Sequence, residues 1–199
     1  SGNVGAVCRA MKNMGLGALR IAAPRGPWKT DDVKMMALHA FDVFERRKEF
    51  PTLAEAVADC GLVAGTTARR GLYRDHARTP RDWAGRLLTA AAKSKVALVF
   101  GPEDSGLSNE EIPYCTQIIR IPSSPKYSSL NLAQAVMVCG YDLYVAAGEF
   151  EPPQELSPEA PSAMREQMFE KWREALLDIG FMQGDKADHM MLGLRRILS

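Results

Sequence analysis

Short apolar runs alternate with helical patterns along the first 150 residues of the sequence. The clearest runs are residues 61–66 and 96–100, and each has the length of one buried strand. Helix-start signals lie between them, such as Thr79-Pro80 before a pattern that continues to about residue 92. Strands that alternate with helices form a mostly parallel sheet with helices on both faces. The predicted fold class is therefore α/β with this architecture.

The same signals predict the individual elements. Strands are predicted at residues 18–22, 61–66, 96–100 and 118–121. Helices are predicted at 3–14, from 31 or 32 to about 39, from 52, from 79 to about 92 and at 129–147, with a short one after Ser108. Ser129 is the expected N-cap of the 129–147 helix, so Asn131 is predicted to be buried in its first turn. A buried amide needs hydrogen-bond partners, which makes Asn131 a candidate functional residue.

A proline-rich segment divides the sequence into three parts. Residues 1–150 carry the α/β pattern, and residues 151–162 (EPPQELSPEAPS) have the composition of a linker. Helical patterns follow at 163–179 and 186–198, separated by Gly180 and Gly184. The sequence thus predicts an α/β domain at 1–150, a linker, and a small C-terminal helical hairpin within 163–199.

The charge and cysteine content limit the classes of partner. The 199 residues carry a formal net charge of only +1, so an RNA partner would have to be attracted by local basic patches. The four cysteines are far apart without a Cys-x-x-Cys pair, and the three histidines are scattered, so no metal site is expected. The cysteines are interpreted as buried thiols of a cytoplasmic protein. No apolar run has the length of a membrane span.

Three loops after predicted strands are rich in glycine, proline and hydroxyl residues. They are residues 65–69 (GTTAR), 101–111 (GPEDSGLSNEE) and 121–131 (IPSSPKYSSLN). Ligands of open parallel sheets bind outside the carboxyl ends of the strands, and such loops let a backbone approach a ligand closely. The sequence lacks the spacing of a dinucleotide fingerprint, a phosphate-binding loop or a nucleophile elbow. The three loops are therefore the predicted ligand site.

Three ordered motifs carry a resemblance to a known family. They are Asn3-x-Gly5-x-x-x-Arg9, then Gly101-x-Glu103-x-x-Gly106-Leu107, then Ile121-Pro122 followed by Tyr127-Ser-Ser-Leu-Asn131. In this order and spacing the sequence resembles the SPOUT-class TrmH-like RNA 2′-O-methyltransferases, and within them the group that includes TrmJ and LasT. The resemblance covers nearly all of residues 1–150.

The resemblance implies a C-terminal trefoil knot in the α/β domain, S-adenosylmethionine as cofactor, no metal, and a homodimer with active sites at the subunit interface. The implied catalytic residues are Arg9, Glu103, Ser129 and Asn131, with Arg9 supplied by the other subunit. The implied cofactor-binding residues are Thr66, Thr67, Ala68, Gly101, Ile121, Ser128, Ser129 and Leu130. A guanidinium stays protonated near neutral pH, so Arg9 is expected to stabilise the forming alkoxide or hold the neighbouring phosphate.

An arginine-rich run next to the GTTAR loop is the predicted RNA contact. The expected RNA-binding residues are Asn3, Arg69, Arg70, Tyr73, Arg74 and Arg78. Arginines would neutralise phosphates, and Tyr73 would stack on an unstacked base. The simpler interpretation of such a run is a solvated loop.

The implied reaction is methyl transfer to a ribose 2′-hydroxyl, with a tRNA anticodon-loop cytidine or uridine, nucleotide 32 in relatives, as the preferred target. The alternatives are the same chemistry on rRNA and a catalytically silent RNA-binding dimer. The sequence departs from the family in two ways. The apolar strand that precedes the first motif in the family has no counterpart in this numbering, and relatives of the TrmJ type carry a longer basic C-terminal extension.

Overall fold

The computed structural model describes residues 1–68, 76–148, 150, 160–184 and 186–197. The chain divides into two compact units, Ser1–Glu151 and Pro152–Ser199. In the described ranges no helix is both long and apolar enough to cross a membrane.

Parallel pairing organises the strands of the first unit. Strands β1 (Arg20–Ala22) and β2 (Lys48–Phe50) pair with each other, and β3 (Cys60–Thr66) lies between β4 (Lys95–Val99) and β5 (Gln117–Ile119). Every one of these pairings is parallel, as predicted. The described strands form two sheets, however, where one was expected, and β2 was missed. Its short, charged sequence, Lys48-Glu49-Phe50, has no apolar run that would predict a strand.

Eight α-helices are seen in the described ranges. They are α1 Gly2–Asn13, α2 Thr30–Ala37, α3 Phe41–Glu45, α4 Leu53–Val57, α5 Pro80–Ala91, α6 Leu132–Ala147, α7 Ser162–Asp178 and α8 Ala187–Ile197. The short α3 was not predicted, whereas the predicted starts of α4 and α5 are confirmed. The Thr52 hydroxyl accepts a hydrogen bond from the Glu55 amide, and Thr79 and Asp82 form a full capping box before α5. After Ser108 the chain forms a 3-10 turn at Ile112–Tyr114 in place of the predicted short helix.

The start of α6 differs from the prediction in a way that matters for the site. The helix begins at Leu132, and its N-cap is Asn131, whose side-chain oxygen accepts a hydrogen bond from the Ala133 amide at 3.0 Å. The prediction that Ser129 caps the helix and that Asn131 is buried inside it is therefore wrong; Asn131 is exposed. The reason is local, because the Ser128 carbonyl accepts a bond from the Ser123 hydroxyl at 3.2 Å and residues 128–130 remain part of the loop.

The first unit is held together by a small group of buried residues, Leu107, Ile112 and Ile118, and by two larger cores. One lies between α1, α2, α3 and α6, and it includes Cys8, Val33, Phe44 and Val136. Helices α1 and α2 approach so closely that a Cβ on Gly5 would lie 2.4 Å from the Val33 carbonyl oxygen. A side chain at that position is therefore excluded.

The second core lies between the three-stranded sheet, α5 and α6. Its buried residues are Leu62, Ala64, Trp83, Leu87, Ile119 and Cys139. The Trp83 indole N–H donates to the Ile118 carbonyl at 3.0 Å, so the ring is fixed against β5. This core sets the position of the N-terminus of α6 relative to the strand ends.

The second unit has a small core of its own. Phe169 on α7 packs with Met182, Ala187 and Met191, and the last two lie on α8. The Arg195 guanidinium binds both Glu166 carboxylate oxygens at 2.6 Å and lies 4.5 Å from the Phe169 ring centroid. The helices predicted at 163–179 and 186–198 correspond to α7 and α8.

Candidate active site

The ends of β3, β4 and β5 lie side by side and present the predicted loops at one edge of the sheet. The Thr66 hydroxyl donates to the Val99 carbonyl at 3.1 Å, and the Thr67 amide donates to the Ile119 carbonyl at 3.0 Å. Thr66 and Thr67 are half-buried, while Ala68 is exposed. The structure thus brings residues 65–68 of the GTTAR loop next to the points where the other two loops begin.

Gly101 allows the second loop to fold back on the end of β4. A Cβ at this position would lie 2.3 Å from both the Gly106 carbonyl carbon and the Leu107 amide nitrogen. Gly106 has a φ of +63°, and its amide donates to the Pro102 carbonyl at 2.6 Å. Leu107 is buried and anchors the loop. Glycine is therefore required at residue 101 by backbone packing, and the turn carries Glu103 outward.

The third loop is closed by its own hydrogen bonds. Besides the bond from Ser123 to the Ser128 carbonyl, the Tyr127 amide donates to the Ser124 carbonyl at 3.0 Å. Ile121 and Leu130 are half-buried, whereas Ser128 and Ser129 are exposed. The loop therefore combines half-buried apolar side chains with exposed hydroxyl groups.

A cluster of three polar side chains, Asn3, Glu103 and Asn131, lies where these loops meet the first helix. One Glu103 carboxylate oxygen accepts hydrogen bonds from the Asn131 side-chain amide at 2.6 Å and from the Leu132 backbone amide at 2.9 Å. The other accepts a hydrogen bond from the Asn3 side-chain amide. Asn131 also donates to the Asn3 side-chain oxygen at 3.4 Å. The Asn3–Glu103–Asn131 cluster therefore joins one residue from each of the three sequence motifs.

The N-terminus of α6 explains why a carboxylate is stable in this cluster. The first amides of a helix have no partner within the helix, and the helix dipole favours negative charge at that end. Glu103 takes the Leu132 amide and Asn131 takes the Ala133 amide, so both caps are side chains of the cluster. All three side chains are exposed, which leaves them accessible to a substrate.

The other two predicted catalytic residues are not joined to this cluster within one chain. Arg9 lies on the exposed face of α1, and neither a hydrogen bond nor an ion pair links it to the described residues. Ser129 is exposed, and its hydroxyl likewise has no hydrogen bond within the described part of the chain. Asn3 was expected to contact RNA, which stays a prediction, and its side chain also binds Glu103. Its place in the first motif was the available signal for this role.

Four of the predicted RNA-binding residues, Arg69, Arg70, Tyr73 and Arg74, lie outside the described residues. Arg78 is described, and its backbone forms a parallel bridge beside β5, with its amide donating to the Ile118 carbonyl at 3.1 Å. Its guanidinium carbon lies 5.6 Å from the centroid of the Trp83 ring. The described end of the arginine-rich run, at Arg78, therefore lies beside β5.

The cysteines have the properties of structural thiols. Burial raises the pKa of the Cys8 and Cys115 thiols to about 11 and that of the Cys139 thiol to about 12. These three thiols therefore stay protonated at neutral pH and are poor nucleophiles. Across the described ranges, no three His, Cys, Asp or Glu side chains group as metal ligands would.

Comparison with known proteins gives consistent matches over most of the chain. A profile for the SpoU rRNA methylase family matches residues 1–141. The chain is 36% identical over 208 residues to the tRNA (cytidine/uridine/adenosine-2′-O-)-methyltransferase TrmJ of Pseudomonas aeruginosa strain UCBPP-PA14, covering 98% of this chain and 80% of that protein.

Solved structures agree with the sequence matches. The crystal structure of TrmJ from Z. mobilis ZM4 superposes with a TM-score of 0.71 at 36% identity, covering 99% of this chain and 84% of that one. The SpoU methyltransferase AviRb from Streptomyces viridochromogenes, solved in complex with AdoMet, has a TM-score of 0.58 at 19% identity over 75% of this chain and 57% of that one. This second likeness concerns the fold.

Proposed function

We propose that this chain, which belongs to the SpoU rRNA methylase family, is a cytoplasmic RNA ribose 2′-O-methyltransferase. It would use S-adenosylmethionine and act on tRNA. The family is the one predicted from the three motifs. The observation that carries the proposal is the Asn3–Glu103–Asn131 cluster, because residues from all three motifs meet beside the predicted cofactor loops.

The predicted cofactor residues fit S-adenosylmethionine in chemical type. The proposed binding residues are Thr66, Thr67, Ala68, Gly101, Ile121, Ser128, Ser129 and Leu130. Half-buried Ile121 and Leu130 offer an apolar wall for an adenine ring, and backbone groups of the folded loops offer polar partners for the rest of the molecule. When bound, the cofactor supplies an electrophilic sulfonium methyl group.

The residues of the chain would orient and activate the ribose. The Asn131 side-chain amide donates hydrogen bonds to Glu103 and to the Asn3 side-chain oxygen and accepts one from the Ala133 amide, so its orientation is set before substrate arrives. A guanidinium from Arg9 would stabilise the negative charge that forms on the 2′-oxygen, or hold the adjacent phosphate. Ser129 is exposed and lies two residues before Asn131 in the sequence. Its hydroxyl would contact the ribose.

A homodimer would complete this site. Along α6, the side chains of Val138, Tyr141 and Val145 share one helix face and are 36%, 53% and 52% exposed. An apolar helix face of this kind is typical of a protein interface. In the proposed dimer, Arg9 enters the active site of the other subunit, which agrees with its lack of partners among the described residues of its own chain. We also propose that the α/β domain ends in a trefoil knot and that α7 and α8 form a helical hairpin.

A tRNA anticodon-loop nucleotide is the proposed target. The choice of tRNA is supported by the TrmJ relatives, which are named tRNA 2′-O-methyltransferases. The second candidate is rRNA, since the description of the matching family specifies rRNA methylases. Mass mapping of ribose methylation in both RNA classes, from a deletion strain and its parent, separates the two. Loss of methylation from tRNA is expected. Loss from rRNA alone would overturn the tRNA assignment, and loss from neither would favour a silent RNA-binding dimer.

A further inference from the structure

The exposed side of α5 carries an open groove that the proposed active site does not use. Its volume is about 520 Å³, and it is lined by Leu62, Gly85, Arg86, Thr89, Ala90 and Lys93. Arg86 and Lys93 are exposed at its rim. We refer to this feature as the α5 groove.

Cation–π contacts connect the α5 groove to the carboxyl edge of the sheet. The guanidinium carbons of Arg78 and Arg86 lie 5.6 Å and 5.3 Å from the centroid of the same Trp83 ring. Since the indole is buried and bonded to the Ile118 carbonyl, it holds both arginines in place while their N–H groups stay available. Arg78 in turn pairs with β5 where the predicted ligand loops begin.

The positive charges of this surface are not neutralised by ion pairs. Of the ion pairs formed by the described residues, none includes Arg78, Arg86 or Lys93. Hydrogen bonds from Thr79 are the larger cause of the lowered pKa of the Asp82 carboxylate, which also interacts with the charge of Arg78. Asp82 accepts bonds from the Thr79 hydroxyl and amide, and Asp142 is paired with Arg81. With a net charge of only +1 for the whole sequence, such a local surface is what an anionic polymer would require.

Because Gly85 has no side chain, the α5 groove reaches close to the helix backbone at this position. A glycine inside a helix is less favourable than alanine, and here a Cβ would meet no atom within 4 Å. Packing within the described chain therefore gives no reason for glycine at this position. Space above the helix backbone would let a ribose or phosphate approach between Arg86 and Lys93.

We propose that the sugar–phosphate backbone of the RNA substrate lies along the α5 groove, with Arg86 and Lys93 binding phosphates and Arg78 continuing the contact toward the active site. This inference rests on the proposed function for the identity of the polymer. Ammonium and guanidinium groups recognise phosphates and carry no base specificity, so the contact adds affinity for RNA outside the target nucleotide.

The test is the salt dependence of RNA binding by the full chain and its Arg86→Gln/Lys93→Gln variant. Affinity for in-vitro transcribed tRNA is measured between low and moderate NaCl. Each lost phosphate contact lowers the slope of log affinity against log salt by about one, so the double variant should lose about two. The KM for tRNA should rise several-fold while kcat at saturating tRNA is retained. Thr89→Glu, which places a negative charge in the groove, should weaken binding without removing a basic residue.

Lys48→Gln is the matched control, because Lys48 is exposed on β2 of the other sheet and forms no ion pair in the described chain. An equal slope for the double variant, for Lys48→Gln and for the wild type would overturn the α5 assignment. The wild-type protein could methylate no RNA and yet bind tRNA with a salt dependence that falls in the double variant. That result would overturn the proposed function and leave the α5 contact standing.

Discussion

Glu103 uses both oxygens of one carboxylate to join two helices that are distant in sequence. It binds Asn3 on α1, and it binds Asn131 and the Leu132 amide at the start of α6. A glutamine in its place keeps the shape but replaces one acceptor oxygen with a donor. One side of the cluster must then lose its partner. Glu103 therefore acts as a positioning residue in the proposed mechanism.

The Glu103→Gln variant is expected to lower kcat for RNA methylation roughly tenfold to a hundredfold, because Asn131 loses its fixed orientation. The Kd for S-adenosylmethionine should change little. Glu110→Gln is the control, since Glu110 is exposed in the same loop and makes no hydrogen bond within the described chain. Equal effects of the two variants, measured by initial rates and calorimetric titration, would contradict the role of Glu103.

Arg9→Ala is expected to lower methyl transfer by at least about a hundredfold, as loss of one group that stabilises an oxyanion does. Folding should be nearly unaffected, because the side chain is exposed and unbonded within the described chain. Calorimetric titration should show cofactor affinity close to wild type. A variant that turns over normally but fails to bind the cofactor would show that Arg9 has been assigned the wrong role.

At the scale of elements, the distance between α1 and α2 depends on Gly5. A Cβ there would lie 2.4 Å from the Val33 carbonyl oxygen and 2.9 Å from the Met36 Cβ, and neither backbone nor a Cβ can move aside easily. Since Asn3 is on the same helix, a shift of α1 would also displace it from Glu103.

Gly5→Ala is therefore expected to destabilise the fold by about 1–3 kcal/mol through overpacking, as measured by urea denaturation. Gly85→Ala provides the comparison, because the added methyl group meets open space and should stabilise α5 by about 0.5–1 kcal/mol. Stabilisation by both substitutions would mean that α1 and α2 are not in close contact in solution.

An ion cluster around Asp59 links the two sheets. Asp59 precedes β3 and binds Arg20 of β1 and Lys95 of β4, the latter at 2.7 Å. Hydrogen bonds from Arg20 and then Lys95 hold the pKa of the Asp59 carboxyl below its usual value of 3.8. A lowered folded-state pKa stabilises the protein above the unfolded-state pKa, and this contribution is lost as the pH falls through the folded-state value.

The difference in free energy of unfolding between wild type and Asp59→Asn should therefore be constant near neutral pH and shrink below about pH 3.8. Denaturant titrations over a pH series measure it. Asp178→Asn, which changes an exposed aspartate of the second unit, is measured alongside as the matched substitution. A difference that grows as the pH falls would contradict the assigned direction of the pKa shift.

At the scale of the whole molecule, the proposed active site is complete only in a dimer. One subunit would supply the Asn3–Glu103–Asn131 cluster and the other Arg9. The exposed apolar face of α6 gives the surface on which the two copies would associate.

Co-expression of Arg9→Ala and Asn131→Ala chains tests this arrangement. Each variant alone should be inactive, but a heterodimer would contain one site with both residues intact, so methyl transfer should partly return. If Arg9 acted within its own chain, every site would lack one residue and the mixture would stay inactive. Tyr141→Glu should give a monomer in analytical ultracentrifugation and abolish the recovery.

The sequence alone predicted the parallel α/β fold, most of the helix starts, the three loops and the family, because these depend on signals within a few residues of each other. Thr79-Pro80 and Asp82 specify the start of α5 by direct contact along the chain. The contact between Asn3 and Glu103 spans 100 residues, and nothing local encodes it. It exists because α6 packs against α1 in one core and against the three-stranded sheet in the other, which brings α1 close to the turn that follows β4.

The same reason explains what the sequence left undecided. Ser129 and Asn131 are similarly good N-caps by propensity, and only the bond from Ser123 to Ser128 and the carboxylate of Glu103 place the start of α6 at Leu132. The three residues of β2 have a weak intrinsic preference for strand structure, and they form a strand because β1 provides a parallel partner. Local chemistry therefore determined which elements and motifs are present. Tertiary packing decided which polar side chains meet, since hydrogen bonds between distant residues form only after the helices and strands have taken their positions.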